Sequence, residues 1–189
     1  MSPPLTCLVT GASGYIGGRL VPELLSAGST VRCMARDPGK LSGRPWSDAV
    51  EVAVADAMDE AAVRRALEGM DVAYYLIHSL GTDASFEQRD RIAAGIFAAA
   101  AKAEGVQRIV YLGGIISGPT GELSPHLRSR AEVGDILLAS GVPTAALQAA
   151  VIIGSGSASF EMLRYLTERL PAMVTPQMGR YPDPADRGP

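Results

Sequence analysis

The chain has 189 residues, of which 47% are hydrophobic and 20% charged, and a net charge of −3. That length suits one domain with a substantial core, and the composition is that of an ordinary soluble globular protein. The slight acidity argues against nucleic acid as a partner, and no unbroken apolar run reaches the roughly 18 residues of a membrane span.

The N-terminal MSPPLTCLVT has no basic segment ahead of its apolar run, as a signal peptide would. Cys7 and Cys33 both fall in predicted strands without metal-ligand spacing and read as buried reduced thiols. Together these features predict a cytoplasmic protein.

The first predicted strand, Leu5 to Val9, stops at Thr10 and gives way to Gly11, Gly14 and Gly17; an amphipathic helix, Tyr15 to Ala27, follows directly. Strand, glycine turn and helix in that order are the context in which a glycine motif means a dinucleotide site. One glycine permits an unusual turn, one lets a pyrophosphate approach the main chain, and one lets helix pack on strand. The phosphates then meet free N–H groups at the positive end of a helix.

Gly28 stops the first helix, and a second strand, Thr30 to Ala35, ends at Arg36-Asp37-Pro38. Gly39 to Asp48 reads as an irregular polar loop in which Trp46 is a local packing anchor. Strand three, Val50 to Ala55, ends at Asp56, and a helix, Asp59 to Glu68, presents Ala62, Val63, Ala66 and Leu67 inward with Asp59 as its cap. Strand four, Asp71 to Ile77, leads into His78-Ser79-Leu80-Gly81; its Tyr74 and Tyr75 point to opposite faces.

A long helix from Ser85 to Glu104 carries Phe86, Ala93, Ile96, Phe97 and Ala100 near one stripe. Strand five, Gln107 to Leu112, ends at Gly113-Gly114, before a loop to Pro125 that contains Ser117. A helix from His126 to Ser140, a sixth strand from Pro143 to Ile153 and a helix from Ser157 to Leu170 complete the alternation. The pattern predicts an α/β, Rossmann-like doubly wound parallel sheet of about six strands with helices on both faces, spanning residues 1–170. Five prolines in the last nineteen residues predict an extended or disordered tail over 171–189.

With the Gly11-x-x-Gly14-x-x-Gly17 turn, Asp56 and the βα units together, the chain resembles the atypical and extended short-chain dehydrogenase/reductases, nearest their NmrA-like NAD(P)-binding branch, over Leu5 to Leu170. The resemblance implies that Thr10, Gly11, Ala12, Ser13, Gly14, Tyr15, Ile16 and Gly17 hold the pyrophosphate of a nicotinamide dinucleotide. It also implies that Asp56 hydrogen-bonds the adenine amino group. NAD-specific members carry an acidic residue at the end of strand two; Arg36 there suits a 2′-phosphate instead, which predicts NADP(H) in preference to NAD(H). His78 and Ser79 stand at the C-terminal mouth of the sheet, where such folds bind ligands, and His78 is a candidate cofactor contact.

The family's catalytic half carries over differently. Its enzymes place a serine or threonine after strand five and a Tyr-x-x-x-Lys at the head of the next helix. Here those positions read Gly113-Gly114, and His126 and Arg130. Arg130 can bind a ribose hydroxyl or a phosphate, while His126 can exchange a proton near neutral pH or serve only to start its helix. Extended members also continue past strand six into a substrate-binding lobe that this sequence does not show, so it reads as a reduced member or as part of a longer protein.

Two readings follow. One is an oxidoreductase passing hydride between a nicotinamide and an unknown small carbonyl, alkene or quinone-like substrate, with His126 and Arg130 as candidate catalytic residues. The other is a non-catalytic NADP(H) sensor or accessory subunit. The alanine-rich helices after strands four and five permit a homodimer or a partner protein.

Overall fold

The structure, a computed structural model, describes residues 4–78, 86–115 and 123–150, together with residues 152, 154, 157, 160, 161, 164 and 165. The chain divides into two compact units, Met1–Val151 and Ile152–Pro189. In the second unit Ser157 accepts hydrogen bonds on its Oγ from the backbone N–H of Gly154 and Phe160, and Phe160, Glu161, Arg164 and Tyr165 are helical. The remainder of the helix expected over 157–170, and the whole tail 171–189, lie outside the described residues.

Among its described residues the first unit holds six strands: β1 (Thr6–Thr10), β2 (Thr30–Ala35), β3 (Glu51–Val54), β4 (Val72–Tyr75), β5 (Arg108–Gly114) and β6 (Thr144–Ala149). Every neighbouring pair is parallel, in the order β3-β2-β1-β4-β5-β6. The helices are α1 (Tyr15–Ser26), α2 (Glu60–Leu67), α3 (Phe86–Ala103) and α4 (Pro125–Leu138). Strand order reverses between β1 and β4, which opens a crevice at their C-terminal ends.

Side chains of the parallel strands alternate between two cores. Leu8, Ala73, Ile109 and Tyr111 pack against Val63 and Leu67 of α2, Phe97 and Ala101 of α3, and Val133 and Leu137 of α4. On the other face Val9, Val31 and Cys33 pack against Val21 of α1, Leu41 and Trp46. The inner faces expected for α2 and α3 are the buried ones, with Ile96 half-buried.

Helix α1 contains Pro22, whose missing N–H leaves the Gly18 carbonyl without its helical donor. The Trp46 indole Nε1–H donates to that carbonyl at 3.2 Å, so the anchor expected from its loop also repairs the helix. The loop itself is more regular than expected. Its ends form 3-10 turns at Pro38–Lys40 and Ser47–Ala49, the first capped by Asp37, whose side chain accepts from Gly39 N.

Most element boundaries shift by one or more residues from the sequence reading, and two of the shifts bear on the site. Strand β5 runs through Gly113 and Gly114, which pair in register with Gln148 and Ala149 of β6. Helix α4 begins one residue early, at Pro125, because Ser124 caps it by accepting from Leu127 N and proline tolerates the first helical position.

Candidate functional site

The glycine turn is built by three different constraints. Gly11 has φ +68°, and a Cβ there would lie 3.0 Å from the Leu76 carbonyl oxygen, so both conformation and space demand glycine. A Cβ on Gly17 would stand 2.4 Å from the Gly11 oxygen and 2.7 Å from Ala12 Cα, both backbone atoms that cannot step aside. Gly14 donates its N–H to the Gly11 oxygen at 3.0 Å and forms the N-cap of α1 without a side-chain cap. With no acidic residue in its first turn either, α1 presents an unneutralised positive end.

Neighbours hold this turn in place. The buried Thr10 hydroxyl donates to the Tyr74 carbonyl at 3.0 Å and accepts from Leu76 N at 2.9 Å, tying the end of β1 to the end of β4. Arg44 donates from Nη2 to the Ser13 carbonyl at 2.8 Å. Ala12 is buried beneath the turn, Ile16 is half-buried, and the Tyr15 ring carries the Arg19 guanidinium 4.6 Å from its centroid.

A cavity of about 460 Å³ opens beside the turn, along the C-terminal ends of the strands. Gly11 and Ser13 line it from β1, Arg36 and Asp37 from the end of β2, Asp56 from the end of β3, and His78 from beyond β4. The structure thus gathers Gly11, Ser13, Arg36, Asp56 and His78 around one space, while Thr10, Ala12, Gly14, Tyr15, Ile16 and Gly17 form the turn against it. The Asp56 carboxylate accepts from Met58 N at 2.9 Å, which fixes its orientation at the rim.

Several lining residues were not among the expected site residues. Lys40 lines the cavity from the 3-10 turn of Pro38–Lys40; an Arg-x-x-x-Lys spacing with Arg36 was the available clue. Arg89 and Asp90 of α3 line the opposite wall. Tyr75 also lines it, packed edge-on to Phe97 with centroids 4.9 Å apart, and burial pushes its hydroxyl pKa well above the ordinary range.

The catalytic candidates stand beyond the cavity lining. Arg130 donates from Nη2 to the Leu112 carbonyl at 2.6 Å, and its own carbonyl accepts from the Tyr111 hydroxyl at 2.8 Å. His126 is exposed in the first turn of α4, its ring 5.0 Å from that of Phe86. A Cβ on Gly114 would meet Leu127 Cδ2 at 2.9 Å and one on Gly113 the Tyr111 ring at 3.0 Å, so both glycines admit close side chains. Ser79 and Ser117 lie outside the described residues.

His78, exposed at the cavity rim, links the two regions electrostatically. Desolvation and then the positive charge of Arg130 hold its pKa below the ordinary value; Asp90 and a hydrogen bond with the Leu76 backbone pull upward, and His126 adds a small push down.

A reversed-order parallel sheet, a glycine turn at its switch point and a cavity along its carboxyl ends define a Rossmann-type dinucleotide-binding domain. The sequence model described as NAD(P)H-binding matches residues 11–156. The chain belongs to this NAD(P)H-binding family, in agreement with its resemblance to the atypical short-chain dehydrogenase/reductases.

Among curated proteins, a 74-residue stretch is 42% identical to sterol demethylase protein B of Methylococcus capsulatus, covering 38% of this chain and 21% of that one. A 119-residue stretch is 30% identical to dihydroflavonol 4-reductase of Arabidopsis thaliana, covering 56% of this chain and 31% of that one. Among solved structures, triphenylmethane reductase of Citrobacter sp. complexed with NADP(H) shares the fold at a TM-score of 0.69 and 22% identity, over 86% of this chain and 55% of that one. WbmH of Bordetella bronchiseptica in complex with NAD+ does so at 0.71 and 18%, over 87% and 62%. The chain therefore spans little more than half the length of these structures. Among the described residues no helix is long and apolar enough to cross a membrane.

Proposed function

We propose that the protein is an NADP(H)-dependent oxidoreductase of the atypical short-chain type, acting on a small carbonyl, alkene or quinone-like substrate without the usual Ser-Tyr-Lys set. The observation that carries this reading is the juxtaposition of Arg36 and Lys40 with the glycine turn around one cavity. The helix end and turn would hold the pyrophosphate, Asp56 the adenine, and the two cations a 2′-phosphate, with Arg36 binding it by charge-assisted hydrogen bonds. When bound, the nicotinamide supplies or accepts a hydride; the chain's own residues bind and orient it and handle the accompanying proton.

The test is calorimetric titration with NADPH and NADH. NADPH binds more tightly, and Arg36→Ala lowers its affinity by about tenfold to a hundredfold, the loss of roughly 1.5–3 kcal/mol, while NADH binding changes little. Equal affinities in the unmodified protein would refute the preference.

One observation favours a second reading, the non-catalytic NADP(H) sensor. Arg130, at the position of the family's lysine, is engaged by the Leu112 carbonyl, and Leu127 fills the space beside Gly114. NADPH oxidation against a panel of aldehydes, enones and quinones separates the two: turnover supports the oxidoreductase, and binding without turnover on that panel favours the sensor.

A further inference from the structure

Outside the expected site residues, one ionisable side chain stands out. Asp90 is only 9% exposed, faces the cavity from the first turns of α3, and accepts a hydrogen bond on Oδ2 from the Ser129 hydroxyl of α4 at 3.2 Å. Ser129 is itself buried, so this carboxylate is held between two helices and directed at the same space that His78 lines from the end of β4. Burying a carboxylate is costly unless it meets donors or positive charge.

We propose that His78 and Asp90 form the proton-handling pair of this site, His78 as the group that exchanges the proton with the substrate and Asp90 as the carboxylate whose negative charge favours the protonated ring. This rests on the oxidoreductase reading. In the reducing direction a substrate carbonyl carbon would gain the hydride that bound NADPH supplies, and the C=O π bond would break. The oxygen takes a proton from the His78 imidazolium, giving the alcohol, and the neutral imidazole recovers a proton from water at the open rim. Hydride plus proton completes the two-electron reduction. His78 suits this by position: it lines the cavity just past the end of β4, exposed enough to re-equilibrate with solvent. Among the described residues, the charged and titratable groups acting on it are Asp90 of α3 and Arg130 and His126 of α4.

His78 and His126 are the two histidines of the chain, so ring NMR of the full protein resolves them, with His126→Gln assigning His78. Asp90→Asn lowers the His78 titration midpoint by about 0.5 pH unit or more, and Asp90→Glu, which keeps the charge, restores it. If Asp90→Asn does not fold, Ser129→Ala, which removes the donor that holds the Asp90 carboxylate, moves the His78 midpoint instead. A midpoint indifferent to these substitutions overturns the pair. With coenzyme present the His78 midpoint is lower in the NADP+ complex than in the NADPH complex, since the oxidised nicotinamide is positive. Calorimetric binding with no change at His78 overturns the proton-handling role alone. No calorimetric binding of either coenzyme overturns the underlying reading, and the proton-handling role with it.

Discussion

Single atoms decide much of this site. The Cβ that Gly17 lacks would stand 2.4 Å from the Gly11 oxygen, with further backbone contacts at 2.7 and 2.8 Å. Gly17→Ala must therefore push α1 away from the turn, at a cost of about 1–3 kcal/mol, and weaken NADPH binding more than tenfold. Chemical denaturation and calorimetry read the two effects separately. Cys33 shows the same sensitivity in its ionisation. Burial pushes its thiol up to about 11 from 9.0. The folded chain then holds a proton that the unfolded chain has lost between those pH values, so the stability Cys33 contributes is intact below pH 9 and drains away toward pH 11. The loss is about 3 kcal/mol at the top of that window. A scan of melting temperature from pH 8.5 to 11 falls more steeply for the natural protein than for Cys33→Val.

At the scale of elements, helices and strands borrow partners from beyond themselves. Helix α1 carries Pro22 and survives because Trp46 supplies the donor that Pro22 lacks. Trp46→Phe keeps most of the packing but leaves the Gly18 carbonyl without this bond, and destabilises by about 1–3 kcal/mol. In a Pro22→Ala background the helix furnishes its own N–H, so the same substitution costs less. A double-mutant cycle by urea denaturation measures that coupling. Strand β5 ends in two glycines that carry no side chain into the site. Their missing Cβ atoms let the Tyr111 ring and Leu127 close in, and Arg130 caps the neighbouring Leu112 carbonyl. This is why the end of β5 looks unlike that of an enzyme with a serine there.

For the whole molecule, the sheet order gathers the ends of β1, β2, β3 and β4 around one cavity, so a ligand there bridges segments distant in sequence. Such a ligand binds the folded chain only. At one hundred times its dissociation constant NADPH adds about 2.7 kcal/mol, which raises the melting temperature by roughly 5–10 °C. Differential scanning fluorimetry checks this, and Arg36→Ala shrinks the rise at the same NADPH concentration.

Local chemistry was enough to read the strand–turn–helix opening, the parallel α/β alternation and the positions of Gly11, Ser13, Arg36 and Asp56 at strand ends. Glycine spacing, strand alternation and charge at strand ends act over a few residues and leave their mark in order. The pairing of Gly113 and Gly114 with β6, the repair of Pro22 by Trp46 and the placing of Asp90 on the cavity that His78 lines left no such mark. Each joins groups separated by tens of residues or by a change of element, and their distance in space is set by how helices settle on the sheet. Periodicity alone could place Asp90 on a helix; only packing of α3 against α4 and the sheet could turn it toward the cavity.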